Sequence, residues 1–389
     1  MSPLVWGEVD MTEEDHPDEY VHHFRALIKS EAQSSSVNAR KLRALVREVT
    51  ALASSLPLYL ESSIFFRIDE SRMDVMKCVI TGPEETPYAH GCFLFDLYCS
   101  NEYPALPPQV NFQTTGGGTV RFNPNLYNCG KVCLSLLGTW RGGPNEQWNE
   151  ATTTLLQVLV SIQSLIFVSQ PFFNEPGYEA LMHTTKGDLQ SAAYNETIRL
   201  ATVTFAMVDM IKNPPIGFEQ VVRRHFTLKA HRTLKDVIAW LKEAQTSHST
   251  PEYFAKLKEI TLELKLLLLT LDMDAMRGLQ DPHEMHANVI IVEKEVRGGG
   301  GQVSSSSSSA SFASSASSTQ SSSSTQPSSS SFSLYPPHLN QPSQQQALLM
   351  SQLNNSNNSS NSNASLPSYL HVDDEYSHPA NIYPHLKHK

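Results

Sequence analysis

From Gly298 to Val372 the sequence contains no Asp, Glu, Lys or Arg, and Ser, Gln and Asn dominate it. Such a stretch has too little apolar surface to offset the entropy of ordering it, which predicts a disordered tail over residues 298–389. Folding is thereby confined to the first three quarters of the chain. There the charge balance matters: 39 acidic against 29 basic residues give a net charge of −10. That balance argues against nucleic acid as the main partner, because phosphate binding needs a basic footprint. No apolar run is long enough to cross a bilayer, and the best candidate, Leu266 to Leu269, is short and flanked by charge. Met1 to Tyr20 is acidic and has no signal-peptide core. These features predict a soluble protein of the cytoplasm, the nucleus or both, with neither nucleic acid nor membrane as partner.

The five cysteines, Cys78, Cys92, Cys99, Cys129 and Cys133, crowd into one stretch. An odd number without a secretion signal reads as reduced thiols rather than a disulfide framework. Cys78, Cys92 and Cys99 fall in strand-like sequence and read as core or edge residues. Cys129 and Cys133 match neither a strong zinc spacing nor a CxxC redox pair. Four widely spaced C-terminal histidines, from His371 to His388, make a poor metal site. No metal and no bound cofactor is expected.

Four blocks follow from the patterning. Residues 1–35 read as a loosely ordered acidic N-terminus with a short helix around Tyr20 to Ile28. Residues 36–205 read as the core domain. Its first helix, Val37 to Ser54, places Leu42, Leu45, Val46, Val49 and Leu52 on one face, predicted to be core. Short β-branched or aromatic runs follow at Ile64–Ile68, Met73–Ile80, Phe93–Tyr98 and Gln109–Gln113. Turn chemistry separates them, which predicts an antiparallel meander. Thr115 to Gly143 is rich in Gly, Pro and Asn, and a long irregular stretch inside a compact domain is usually functional. Ala151 to Val168 is apolar over a wide arc and reads as a core helix; a helix around Ala192 to Ile211 follows. Residues 206–297 read as a helical extension, with helices near Leu234 to Ala244 and from Pro251 to about Leu271. The fourth block is the tail.

The chemistry lies in Asn123-Pro124-Asn125-Leu126-Tyr127-Asn128-Cys129-Gly130-Lys131-Val132-Cys133, followed by the run Leu134-Ser135-Leu136-Leu137. This segment resembles the ubiquitin-conjugating enzymes, which carry His-Pro-Asn, then a Gly shortly before a Cys, then an apolar run. The motif Asn stands eight residues before the catalytic Cys, as Asn125 does before Cys133. Thr81-Gly82-Pro83, Tyr103-Pro104, Pro107-Pro108, Trp148 and Ser161-Ile162-Gln163-Ser164-Leu165 match further family segments in order. Val120 to Tyr127 and Phe173-Asn174-Glu175-Pro176-Gly177-Tyr178 resemble more narrowly the large BRUCE/Apollon type.

The resemblance implies an α+β ubiquitin-conjugating (UBC) fold: a four-stranded antiparallel meander with flanking helices, here followed by the C-terminal extension and tail. It implies that Cys133 receives ubiquitin, or a ubiquitin-like protein, as a thioester from an activating enzyme and passes it to lysines of protein substrates. A ubiquitin ligase is a further candidate partner. ATP is consumed upstream, by the activating enzyme. A thiolate suits this work, being a strong nucleophile and a competent leaving group. By resemblance, Asn125 either supplies the donor to the developing oxyanion or holds the loop that does. Asn174 or Glu175 assists the lysine, and the sequence leaves that choice open. The motif His is Asn123 here, and Ala105 and Leu106 stand where the ligase-binding loop often has an aromatic residue. Each residue also has a plainer reading: a buried structural thiol for Cys133, a loop cap for Asn125, an exposed carboxylate for Glu175. His90, near a turn, reads as a surface residue. Arg40, Arg43 and Arg47 read as a solvated face or as a contact for the activating enzyme. The rival functions are a catalytically silent adaptor that binds ubiquitin or a ligase, and an interaction scaffold working through the extension and tail.

Overall fold

The computed structural model describes residues 6–9, 22–34, 38–59, 61–69, 71–143, 146–246 and 249–276, with the backbone alone for 6–9 and 272–276. The expected tail, and most of the acidic N-terminal segment, lie outside the described residues.

The meander forms as the patterning predicts. Strands β2 (Ile64–Asp69), β3 (Val75–Thr81), β4 (Cys92–Tyr98) and β5 (Gln109–Phe112) pair in order, each antiparallel to the next. A short strand β1 (Trp6–Val9) adds a fifth, parallel to β2. The sequence reading did not anticipate it, because four residues offer too little pattern to read as a strand. Helix α1 (Arg25–Ser34) lies later than the expected 20–28.

The sheet is buried on both faces. Side chains alternate along a strand, so Phe93, Phe95 and Leu97 of β4 point into one core with Met76, Cys78 and Ile80 of β3. Helices α2 (Ala39–Ser55) and α3 (Leu155–Ser161) close that core. Val79, Cys92 and Leu94 point the other way, into a second core built with the later helices.

Helix α2 starts at Asn38, whose side chain accepts from the amides of Arg40 and Lys41 at 3.0 and 3.2 Å. Its inward face differs from the predicted one. Leu45 and Leu52 are buried, but Leu42 and Val46 are 46% and 44% exposed. Polar residues take the inward positions because each finds a buried partner. The Lys41 ammonium pairs with Asp74, and the Glu48 carboxylate accepts from the Leu155 amide and the Tyr103 hydroxyl.

Helix α4 (Thr185–Ala201) runs on through a π-helical segment, Thr202–Val208, into α5 (Asp209–Lys212). The boundary expected at 205/206 therefore falls inside one continuous helical path. Helix α6 (Glu219–Thr246) is much longer than the helix expected near 234–244, and α7 (Pro251–Met276) packs against it. Val203 and Met207 share the second core with Phe226 and Val237 of α6 and with Leu257 and Leu264 of α7. The extension is thus the covering layer of the sheet's outer face.

His90 is fully buried, against the expectation of a surface residue. Its Nε2 lies 2.7 Å from the Asp236 carboxylate, and its carbonyl lies 2.9 Å from His225 Nε2. The connection between β3 and β4 is where α6 docks. Among the described residues no helix is long and apolar enough to cross a membrane.

Candidate active site

Cys133 sits on the returning arm of a tight turn. Leu126 and Val132 form an antiparallel bridge, and the Tyr127 amide donates to the Lys131 carbonyl at 3.0 Å. The Gly130 amide donates to the Tyr127 carbonyl, closing the tip. Gly130 has φ +87°, a conformation that only glycine adopts at little cost. A Cβ there would also lie 2.3 Å from Asn111 Oδ1 and 2.6 Å from the Phe112 carbonyl. The glycine before the cysteine therefore lets the turn lie directly against β5.

Asn125 grips Cys133 twice. The Cys133 amide donates to the Asn125 carbonyl, and the Asn125 side-chain amide donates to the Cys133 carbonyl, both at 2.9 Å. The two bonds tie Asn125, by side chain and by backbone, to the residue that bears the thiol.

Asn123, where the family has a histidine, is fully buried and knots three segments together. Its Nδ2 donates to the Ile166 carbonyl at 2.8 Å and to the Tyr88 hydroxyl at 3.1 Å. Its Oδ1 accepts from the Asn125 amide at 2.8 Å and from Asn174 Nδ2 at 3.3 Å. Asn174 also donates to the Leu165 carbonyl at 3.1 Å. Leu165 and Ile166 belong to a π-helical turn, Ile162–Ile166, that ends α3. Such turns leave carbonyls without ordinary helical partners, and here two asparagine side chains take them.

A cleft beside the sulfur is lined by Cys133, Asn125, Asn174, Ser135, Trp140 and Glu146, among others. Asn174 is thus brought to the site. Glu175 is held on its flank, with its carboxylate 3.2 Å from the Arg121 guanidinium. Arg121 also donates to the Pro124 carbonyl at 2.6 Å, and its guanidinium lies 4.3 Å from the Tyr127 ring centre.

Tyr127 is a site residue to which the sequence reading gave no role. Its phenol lies close to the Cys133 thiol and helps to lower its pKa. The Lys131 ammonium lies 5.9 Å from the Tyr127 ring centre, so two cations contact this one ring. No motif in the sequence marks that stack, because it depends on the turn folding back. Cys133 itself is 2% exposed. Burial raises its thiol above the ordinary value, and the Lys131 and Arg121 charges and the Tyr127 phenol oppose that rise. Cys129 is exposed at the tip of the turn, while Cys78, Cys92 and Cys99 are buried. Among the described residues no group of His, Cys, Asp or Glu is placed to hold a metal ion.

The model for the ubiquitin-conjugating enzymes matches residues 45–214, a span that contains all of this machinery. The chain carries a domain of the ubiquitin-conjugating enzyme family. It is 44% identical over 282 residues to the human dual E2 ubiquitin-conjugating enzyme/E3 ubiquitin-protein ligase BIRC6, covering 70% of this chain and 6% of that protein. A probable ubiquitin-conjugating enzyme protein 17 of Caenorhabditis elegans is 47% identical over 201 residues, 52% of this chain and 28% of the relative. The putative ubiquitin-conjugating enzyme E2 38 of Arabidopsis thaliana is 42% identical over 214 residues, 55% and 62% of the two chains. The chain therefore spans only part of the length of these relatives. The match to the human protein extends well past the family domain, so it takes in part of the chain outside residues 45–214.

Proposed function

We propose that this chain accepts ubiquitin, or a ubiquitin-like protein, as a thioester on Cys133 and transfers it to a lysine of a protein substrate. The observation that carries the reading is the braced thiol: Cys133, gripped by Asn125 through two hydrogen bonds, opening on a cleft in a ubiquitin-conjugating domain. In the first step the Cys133 thiolate attacks the carbonyl carbon of the modifier's thioester on the activating enzyme. That enzyme's thiolate leaves, and one carbon–sulfur bond replaces another. In the second, a lysine amine attacks the same carbon, the Cys133 sulfur departs with its electron pair, and the amine proton goes to solvent or a neighbouring base.

Asn125 fixes the Cys133 peptide so that the tetrahedral carbon forms beside a rigid loop, and a neutral amide is suited to an oxyanion. Asn174, in the cleft, is the better placed of the two candidates to orient the lysine. Glu175 acts through Arg121. The reading needs no bound cofactor, since ATP enters at the activating enzyme. The partners are the modifier, the activating enzyme and protein substrates, in the cytoplasm, the nucleus or both.

A second reading, conjugating enzyme and ligase in one chain, rests on the likeness to BIRC6, which bears both names. In that case substrates dock on the chain itself and no separate ligase is required.

The test is a charging reaction of the full chain with activating enzyme, ATP and ubiquitin, run on a non-reducing gel. The expected adduct is reductant-sensitive, absent from Cys133→Ala and reductant-resistant in Cys133→Ser. No adduct with any activating enzyme or modifier would favour the silent adaptor instead.

A further inference from the structure

Helix α6 turns an unusual face to solvent. Arg224, Leu228, His231, Arg232, Lys235, Ala239 and Lys242 are all exposed. At 100° per residue they fall within one stripe about 27 Å long. Between Gln220 and Lys235 the helix contains no Asp or Glu. The carboxylates beyond the stripe are turned to partners of their own: Asp236 to His90 at 2.7 Å and Glu243 to Arg199 at 2.9 Å. Within the stripe Arg232 meets Glu84 at 3.0 Å. Leu228, one turn from its N-terminal end, is 81% exposed, more than any other large apolar side chain among the described residues.

A merely solvated helix face usually mixes its signs. Helix α7, packed beside α6, does so, with Glu252, Lys256, Lys258 and Glu259 exposed together and Lys256 paired to Glu252 at 2.8 Å. Like charges one helical turn apart, as Arg232 and Lys235 are, cost a helix stability. The stripe runs against that cost, in a chain whose net charge is −10.

We propose that the outer face of α6 is a docking surface for an acidic segment of the protein substrate. The proposal rests on the conjugating reading and names its substrate class. Charge complementarity selects an acidic partner, and Leu228 asks for an apolar side chain among its carboxylates. A polypeptide supplies both. A nucleic-acid backbone supplies no apolar partner and is repelled by the rest of the chain. A membrane would need the apolar side of α6, which is buried against the sheet and α7. An acidic segment held there raises the local concentration of a substrate lysine at Cys133 without touching the reacting atoms.

The experiment uses the full chain charged with ubiquitin and follows loss of the thioester. Three acceptors are compared at low salt: free lysine, a lysine-bearing peptide rich in Glu and Leu, and the same peptide with every Glu replaced by Gln. The acidic peptide is expected to discharge the thioester about tenfold faster than its Gln counterpart. Salt at 0.5 M, or the exposed double variant Arg224→Glu/Lys235→Glu, should abolish that difference, while free lysine discharges all forms alike. Leu228→Asp should weaken it as well. Equal rates for the two peptides, or a preference that survives the double variant, overturn the proposal. So does a double variant that keeps its peptide kinetics and instead loses binding to a DNA duplex. If free lysine also fails to discharge the wild type, the fault lies with the conjugating reading.

Discussion

The amide of Phe112 donates to the carbonyl of Gly130 at 2.8 Å, tying the turn that carries Cys133 to the last strand of the sheet. The position of the sulfur is therefore inherited from the sheet, through a residue that can be nothing larger than glycine. Gly130→Ala must strain a φ of +87° and push a methyl group into Asn111 and Phe112. The expected outcome is a loss of about 1–3 kcal/mol in stability, read by urea unfolding, together with slower charging of Cys133. A variant that unfolds and charges like wild type would show the turn to be loosely held.

Asn174 and Glu175 separate in the structure, so their variants should separate too. Asn174→Ala removes a side chain that lines the cleft and braces Asn123 and the end of α3. Lysine discharge should fall by about 100-fold, the scale of a misplaced reacting group, with charging retained. Glu175→Gln breaks a half-buried ion pair to Arg121 and should stay within about fivefold of wild type. Single-turnover discharge onto free lysine checks both, and the reverse ranking would reassign the roles.

The thiol of Cys133 should be a sluggish nucleophile until the pH is high. Burial lifts its pKa, so the thiolate fraction should keep rising with pH beyond the ordinary thiol value. In a Cys129→Ser background, which silences the exposed neighbour, iodoacetamide alkylation should climb about tenfold per pH unit through pH 9. Lys131→Gln removes a cation that favours the thiolate and should shift the profile to higher pH. A plateau near pH 7 would mean that the phenol and the two cations outweigh burial.

Acid should loosen the docking of α6. Burial pushes His225 down to about 3, opposed by its hydrogen bond with the His90 carbonyl. In the unfolded chain it takes up its proton near pH 6.5, so between about pH 6.5 and 3 the unfolded state binds more protons. Stability conferred by the neutral ring is present above that window and is lost as pH falls through it. His90 and His22 are lowered as well and act in the same direction. His225→Gln should reduce the acid slope of unfolding free energy by about 1.4 kcal/mol per pH unit between pH 6 and 4. Urea titrations across that range measure it, and an unchanged slope would place the acid sensitivity elsewhere.

The strands were legible because Ile64–Ile68 and Phe93–Tyr98 are dense in β-formers between clear turns, and local pattern decided their structure. Cys133, Asn125 and Asn174 were legible through their order along the chain, which a family resemblance reads without geometry. Three-dimensional partners were not. Nothing local distinguishes Leu42 from Leu45, yet Asp74 draws Lys41 inward and the helix turns accordingly. His90 looked like a turn residue because Asp236 and His225, which bury it, lie far along the sequence. Tyr127 comes close to the sulfur, and meets Arg121 and Lys131, only once the turn folds back.

The covered outer face of the sheet bears on how this protein can be cut. A fragment ending at residue 214, where the family match stops, would keep the thiol and its braces but strip away α6 and α7. Val79, Cys92, Leu94, Val203 and Met207 would then lose much of their cover and form a greasy, adhesive surface. Such a fragment is an aggregation hazard rather than a minimal enzyme, and the shortest well-behaved unit runs to the end of α7.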